Sequence, residues 1–169
     1  MDRRHLASLA FGVSVALGLC HTLCSSIQLP DEVASRFDLT GVPVALTARD
    51  TLIDVHLTVI VAVAAAFLIL AGLVLKTPAR WLNLPHRAWW FAAERERLTR
   101  LDLTARLLWL GAASQLLIFD YFHRTVRVNL GRAASLEGFW LDLAVYAGFV
   151  LGWLALVTLR YRKVPADAR

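Results

Sequence analysis

Three of the five histidines could do chemistry together. His21, His56 and His123 lie at corresponding ends of three separate apolar runs. Each has polar company: Cys20 and Cys24 beside His21, Asp54 beside His56, and Asp120 beside His123. Glu137 and Asp142 occupy the same end of a fourth run. Imidazole with carboxylate or thiolate suits zinc, copper or haem iron. His21, His56, His123 and Asp120 are therefore the candidate metal or haem ligands. Helix geometry constrains the set. His21 and Cys24 are three apart and share a face, as do Asp120 and His123. Asp54 and His56 are two apart, about 200° around a helix, so only His56 is taken as inward. The spacing matches no established ligand motif. The plainer expectation is an interfacial role without a cofactor, with Asp54 favoured near a helix amino terminus. A proton relay would need ionisable groups continuing to the other end, and the sequence supplies none.

The elements that position these residues are apolar. The chain has 169 residues, of which 58% belong to the set AVILMFWYC, against about 45–50% apolar residues in an ordinary soluble domain. Its mean hydropathy is +0.57. Four runs reach the roughly 20 residues that a membrane span needs: about 6–26, 53–75, 101–122 and 139–159. In lipid a lone span must satisfy its own backbone, so all four are expected as helices. The predicted class is all-α: a single four-helix transmembrane domain covering 1–169. The first run has signal-peptide features, with Arg3 and Arg4 ahead of it and small residues after it, but is expected as a retained span.

Cations set the orientation. Arg3 and Arg4, six Lys or Arg between Lys76 and Arg100, and four in the tail fall on one side; Arg36, Arg49, Arg124, Arg127 and Arg132 fall on the other. The positive-inside rule then puts both termini and the middle connector in the cytoplasm and residues 27–52 and 123–138 outside. The connector is broken at Thr77-Pro78 and Leu84-Pro85. Trp81, Trp89, Trp90 and Phe91 then lie among basic residues, which predicts a segment in the headgroup layer. Glu94/Arg97, Glu96/Arg100 and Asp102/Arg106 have the spacing of helical ion pairs. Gln115, mid-span, is expected to bond across to another helix, and Ser114 to lack a local partner. Small residues recur every four positions at Ala10, Ser14 and Gly18, and at Ala144, Gly148 and Gly152. Packing within the chain is the default for both stripes, and contact with another protein is the alternative. Cys20 and Cys24 lie one turn apart on one helix, poor geometry for a disulfide, and are expected as free thiols.

The two loops have recognisable patterns. The outer loop holds Leu29-Pro30, Phe37, Gly41 and Pro43; the connector holds Asn83, Pro85, Trp89-Trp90 and Glu94-Arg95. Over roughly residues 20–125 the chain resembles a bacterial membrane family of unknown function. That family's outer-loop domain also occurs in SdpI-type proteins, which give immunity to a secreted killing peptide. Arg36 stands where the family usually has His, and Val44 to Arg49 replace its usual Trp and Ser-Lys. The resemblance implies no catalytic residues.

Enzyme and nucleic-acid signatures are missing from the sequence. The basic connector is explained by orientation and by anionic membrane lipid. The leading expectation is a non-enzymatic module of a bacterial inner membrane that binds a partner protein or peptide, as an accessory subunit or an immunity-like protein. Arg36, Phe37 and Asp38 outside and Trp89, Trp90 and Glu94 inside are the candidate contacts. The outer loop is expected as a short amphipathic turn on the bundle mouth, with Val33, Phe37 and Leu39 in one apolar patch. A metal or haem protein and a small oligomeric transporter are the alternatives.

Overall fold

The computed structural model describes residues 3–82 and 84–163. Asn83 and Arg169, which entered the motif and the charge pattern, lie outside these residues. The chain is an all-α polytopic membrane protein, and among the described residues four helices are long and apolar enough to span a bilayer. These are α1 (Arg3–Ser26), α2 (Arg49–Lys76), α4 (Glu96–Asn129) and α5 (Phe139–Arg162). A two-stranded hairpin, β1 (Glu32–Phe37) and β2 (Pro43–Ala48), joins α1 to α2. A 3-10 turn (Ala79–Trp81) and the short α3 (Arg87–Trp90) join α2 to α4.

The helices outrun the apolar stretches that reveal them. α4 has 34 residues and is about 50 Å long, while the hydrocarbon core is about 30 Å thick. Polar residues after position 122 suggest a loop, yet no helix breaker stands there. Asp120 pairs with Arg124 one turn on, at 2.7 Å, and the helix continues. It stops where Gly131 takes a left-handed conformation (φ 67°) and the amides of Leu130 and Gly131 close on Val126 and Val128. α2 stops at Thr77, held extended by the following Pro78.

α4 is the central post: α1 and α2 pack along it, and α5 packs on it more sparsely. Small residues on α4 admit rings from its neighbours. Ala105, Leu108 and Ala112 form a core with Ala7, Phe11 and Ala71, against which Phe67 packs. A Cβ at Gly111 would stand 2.8 Å from the Phe11 ring and 2.9 Å from the Phe67 ring. Gln115 donates to the Ile60 carbonyl at 3.0 Å, the expected bond across helices. Ser114 differs from expectation: it bonds the Leu110 carbonyl one turn back and the Tyr146 hydroxyl.

The two small-residue stripes part company. In α1, Ser14 is buried and Gly18 lies against Ile60 of α2. In α5, a Cβ at Gly148 or Gly152 would meet nothing within 4 Å, and no residue of its most apolar window is buried. The α5 stripe therefore does not pack within the chain.

The α1–α2 loop, expected as a short amphipathic turn on the bundle mouth, is a β-hairpin. Asp38 organises it: one carboxylate oxygen accepts from the Thr40 amide, the Thr40 hydroxyl and the Val42 amide. Gly41 takes φ 82°, which glycine tolerates. The turn brings Ala34 opposite Leu46, with an irregular register around Arg36. Val33 and Ala34 are buried, but Leu39 is 81% exposed, so the patch drawn from Val33, Phe37 and Leu39 does not form.

Candidate functional site

The hairpin is bolted to the bundle mouth at three points. Asn129, the last residue of α4, accepts from the Ala34 amide at 2.6 Å and donates to the Ala34 carbonyl at 3.1 Å. Its carboxamide thus covers the β1 edge as a neighbouring strand would. At the tip, Leu136 of the α4–α5 loop donates to Gly41 and Trp140 donates to the Leu39 carbonyl at 2.7 Å. At the base, Arg49 bonds the Leu29 carbonyl and pairs with Asp31 at 3.4 Å.

These bolts leave β2 uncovered. The sheet has two strands, so β2 has one neighbour. Ala34 turns its amide and carbonyl outward to Asn129. By the alternation of an antiparallel ladder, Leu46 opposite it turns its own outward on the free side. Val44 and Leu46 are 62% and 66% exposed. Among the expected outer contacts, Arg36 is exposed and Phe37 half-buried opposite Pro43. Asp38 is committed to its turn. The bonds from the Thr40 hydroxyl and the Val42 amide hold its carboxyl below the usual carboxylate range.

Below the hairpin the three histidines lie close together, with His21 touching both His123 and the Phe122 ring on which His56 stacks. His21 Nε2 lies 3.0 Å from His123 Nδ1, so the two imidazoles share one N–H···N bond. His21 meets Phe119 and Phe122 edge-on, and His56 stacks flat on Phe122 at 3.9 Å between centroids. The fourth expected ligand is engaged elsewhere: Asp120 accepts from Arg124, which also bonds Asp142 and the Glu137 carbonyl. Among the described residues no group of three or more His, Cys, Asp or Glu is placed to hold a metal ion. The structure thus brings His21 and His123 together as a pair, with His56 stacked separately on Phe122 and Asp120 engaged by Arg124. Cys20 and Cys24 are free thiols on the exposed face of α1.

The connector end is a clamp. Trp90 is buried; its Nε1 donates to the Tyr161 carbonyl at 3.0 Å and its ring meets Tyr161 edge-on. The Tyr161 hydroxyl donates to Asp102, already paired with Arg106 at 2.8 Å. Trp90 therefore secures the end of α5 and is not a free contact for a partner. Trp89 is half-buried under the Arg95 guanidinium, 4.3 Å from its ring centre. Glu94 is exposed in the turn before α4. Helical spacing does not apply there, and among the described residues no cation lies within 4.0 Å of Glu94. Glu96–Arg100 does form, at 2.7 Å.

Sequence reasoning missed Asn129, Arg124 and Trp140. The i,i+4 spacing of Asp120 and Arg124 was a readable signal; nothing local marks Asn129 or Trp140. No protein-family model, curated protein or solved structure matches the chain.

Proposed function

We propose that the protein is a non-enzymatic membrane module whose hairpin captures an extended segment of a partner protein or peptide. The free edge of β2 carries this reading. It offers backbone groups for strand addition, with Val44 and Leu46 beside them to select side chains. Asn129 and Trp140 hold that edge in place before a partner arrives, which lowers the ordering cost of binding. The distribution of Lys and Arg supports a hairpin on the outer face of a bacterial inner membrane, with both termini in the cytoplasm. The resemblance of both loops to the family that shares a domain with SdpI-type immunity proteins fits capture of a secreted peptide. The basic, tryptophan-rich connector then serves as the lipid anchor on the inner leaflet.

The test is photo-crosslinking in native membranes from probes placed at positions 44 and 46. The expected result is a discrete adduct at 44 that disappears in Leu46→Pro, which removes the outward amide while leaving the paired edge intact. Adducts unchanged by Leu46→Pro, or none from either position, overturn the reading.

A further inference from the structure

A cavity of about 260 Å³ opens at the tryptophan clamp, between the start of α4 and the end of α5. Trp90, Arg95, Leu98, Asp102, Arg160 and Tyr161 are among its walls. Its two arginines are held on one indole pair. Arg95 Nε donates to the Trp89 carbonyl at 3.0 Å, and the guanidinium carbon sits 4.3 Å from the centre of the Trp89 ring. The Arg160 guanidinium lies over the Trp90 ring, 5.4 Å from its centre. The two indoles meet edge-on with centroids 4.4 Å apart. Both cations keep bonding capacity in reserve. Among the described residues, neither Nη of Arg95 nor any guanidinium nitrogen of Arg160 has a hydrogen-bond partner or a carboxylate within 4.0 Å. Asp102 is the one acidic residue among the walls. Its Oδ2 is already taken by Arg106 and the Tyr161 hydroxyl. The wall therefore keeps an excess of positive charge.

Position identifies the anion that suits it. Arg95 immediately precedes α4, and Arg160 lies in the last turn of α5. The cavity thus sits where two spans leave the bilayer. Leu98, on its wall, is 67% exposed and offers apolar surface to a chain in the membrane. Guanidinium forks match phosphate oxygens in both geometry and charge. Rings that hold the forks in advance lower the ordering cost of binding. A phosphate joined to hydrocarbon meets both halves of the wall.

We propose that this cavity binds the phosphate of an anionic phospholipid, with Arg95 and Arg160 donating to its oxygens and an acyl chain lying along Leu98. A soluble phosphate offers the same oxygens, and the experiment separates the two sources. The site lies at the end of the bundle away from the hairpin. It is independent of strand capture there and rests only on the connector lying at the bilayer surface.

The full chain in detergent is titrated with phosphatidylglycerol and with phosphatidylcholine of the same acyl chains, and bound lipid is counted by native mass spectrometry. Choline would set a cation beside the arginines. The first phosphatidylglycerol should therefore bind roughly tenfold more tightly, the worth of one charge-assisted hydrogen bond. Arg160→Gln should remove this preference. Arg160→Lys should keep part of it, because the charge survives without the fork. Arg97→Gln is an equal loss of charge outside the cavity and should leave the preference unchanged. Excess inorganic phosphate should not displace the lipid. Equal affinity for the two lipids, an undiminished preference in Arg160→Gln, an equal fall in Arg97→Gln, or displacement by inorganic phosphate overturns the proposal.

Discussion

Replacing Asn129 with alanine should release the hairpin while leaving the helices intact. The carboxamide is the partner of the Ala34 amide and carbonyl, and Ala34 is buried. Each buried backbone group left unbonded costs about 1–3 kcal/mol. Two groups, partly rescued by water as the strand lifts, come to about 2–4 kcal/mol, a roughly 30- to 700-fold rise in the open population. Hydrogen exchange read by mass spectrometry in nanodiscs measures this directly, because local opening sets the rate. Peptides covering residues 32–48 should exchange faster by at least roughly 30-fold, with the middle of α1 and α4 unchanged. Asn129→Asp should fall between, since a carboxylate still accepts from the Ala34 amide but has no N–H for its carbonyl. Acceleration of less than about threefold in Asn129→Ala would refute the claim that this side chain holds the strand.

Gly111→Ala should destabilise the bundle by about 1–3 kcal/mol through overpacking against Phe11 and Phe67, measured by denaturant unfolding in detergent. Gly148→Ala, facing open space, should stay within about 0.5 kcal/mol; a larger loss would reveal a helix seated on α5. Asp38 is ionised more readily in the folded loop than in the unfolded chain. Its contribution is thus complete above the ordinary carboxylate value of about 3.9 and fades as pH falls through the lower folded value. Exchange of the Thr40 and Val42 amides should accelerate over that acid range, and Asp38→Asn should abolish the acid step. Tyr161→Phe removes a hydrogen bond to a carboxylate and should cost about 1.5–3 kcal/mol. Combined with Trp90→Ala it should be non-additive, because the two rings touch.

The four spans are legible in the sequence because hydropathy is a property of the residues themselves. The hairpin is not. Glu32 to Phe37 carries little alternation, and its order comes from Asp38 closing the turn and from Asn129, 95 positions away from Ala34. The length of α4 is obscured for a related reason: Arg124 and Arg127 look like loop residues until Arg124 is seen to pair with Asp120 one turn back along the helix. Histidine depth is readable from the alternation of the spans, and the rings do meet. Their grouping is not readable, because it is fixed by the Phe122 ring between them. The Gly148-xxx-Gly152 pattern states that a backbone can come close without saying whose. Trp90 resembles an interfacial anchor from its basic neighbours, and only Tyr161 at the far end of the chain shows that it is buried.

α5 is held at its two ends, by Leu136 and Trp140 at the hairpin and by Tyr161 at the tryptophan clamp, and between them it touches α4 only sparsely, through the Tyr146–Ser114 hydroxyl bond. It behaves as a strut fixed at its pivots. One helix thus joins the hairpin tip, through Leu39 and Gly41, to the connector, through Tyr161 and Trp90. Most of the flank between these two ends is left open to lipid or to another helix.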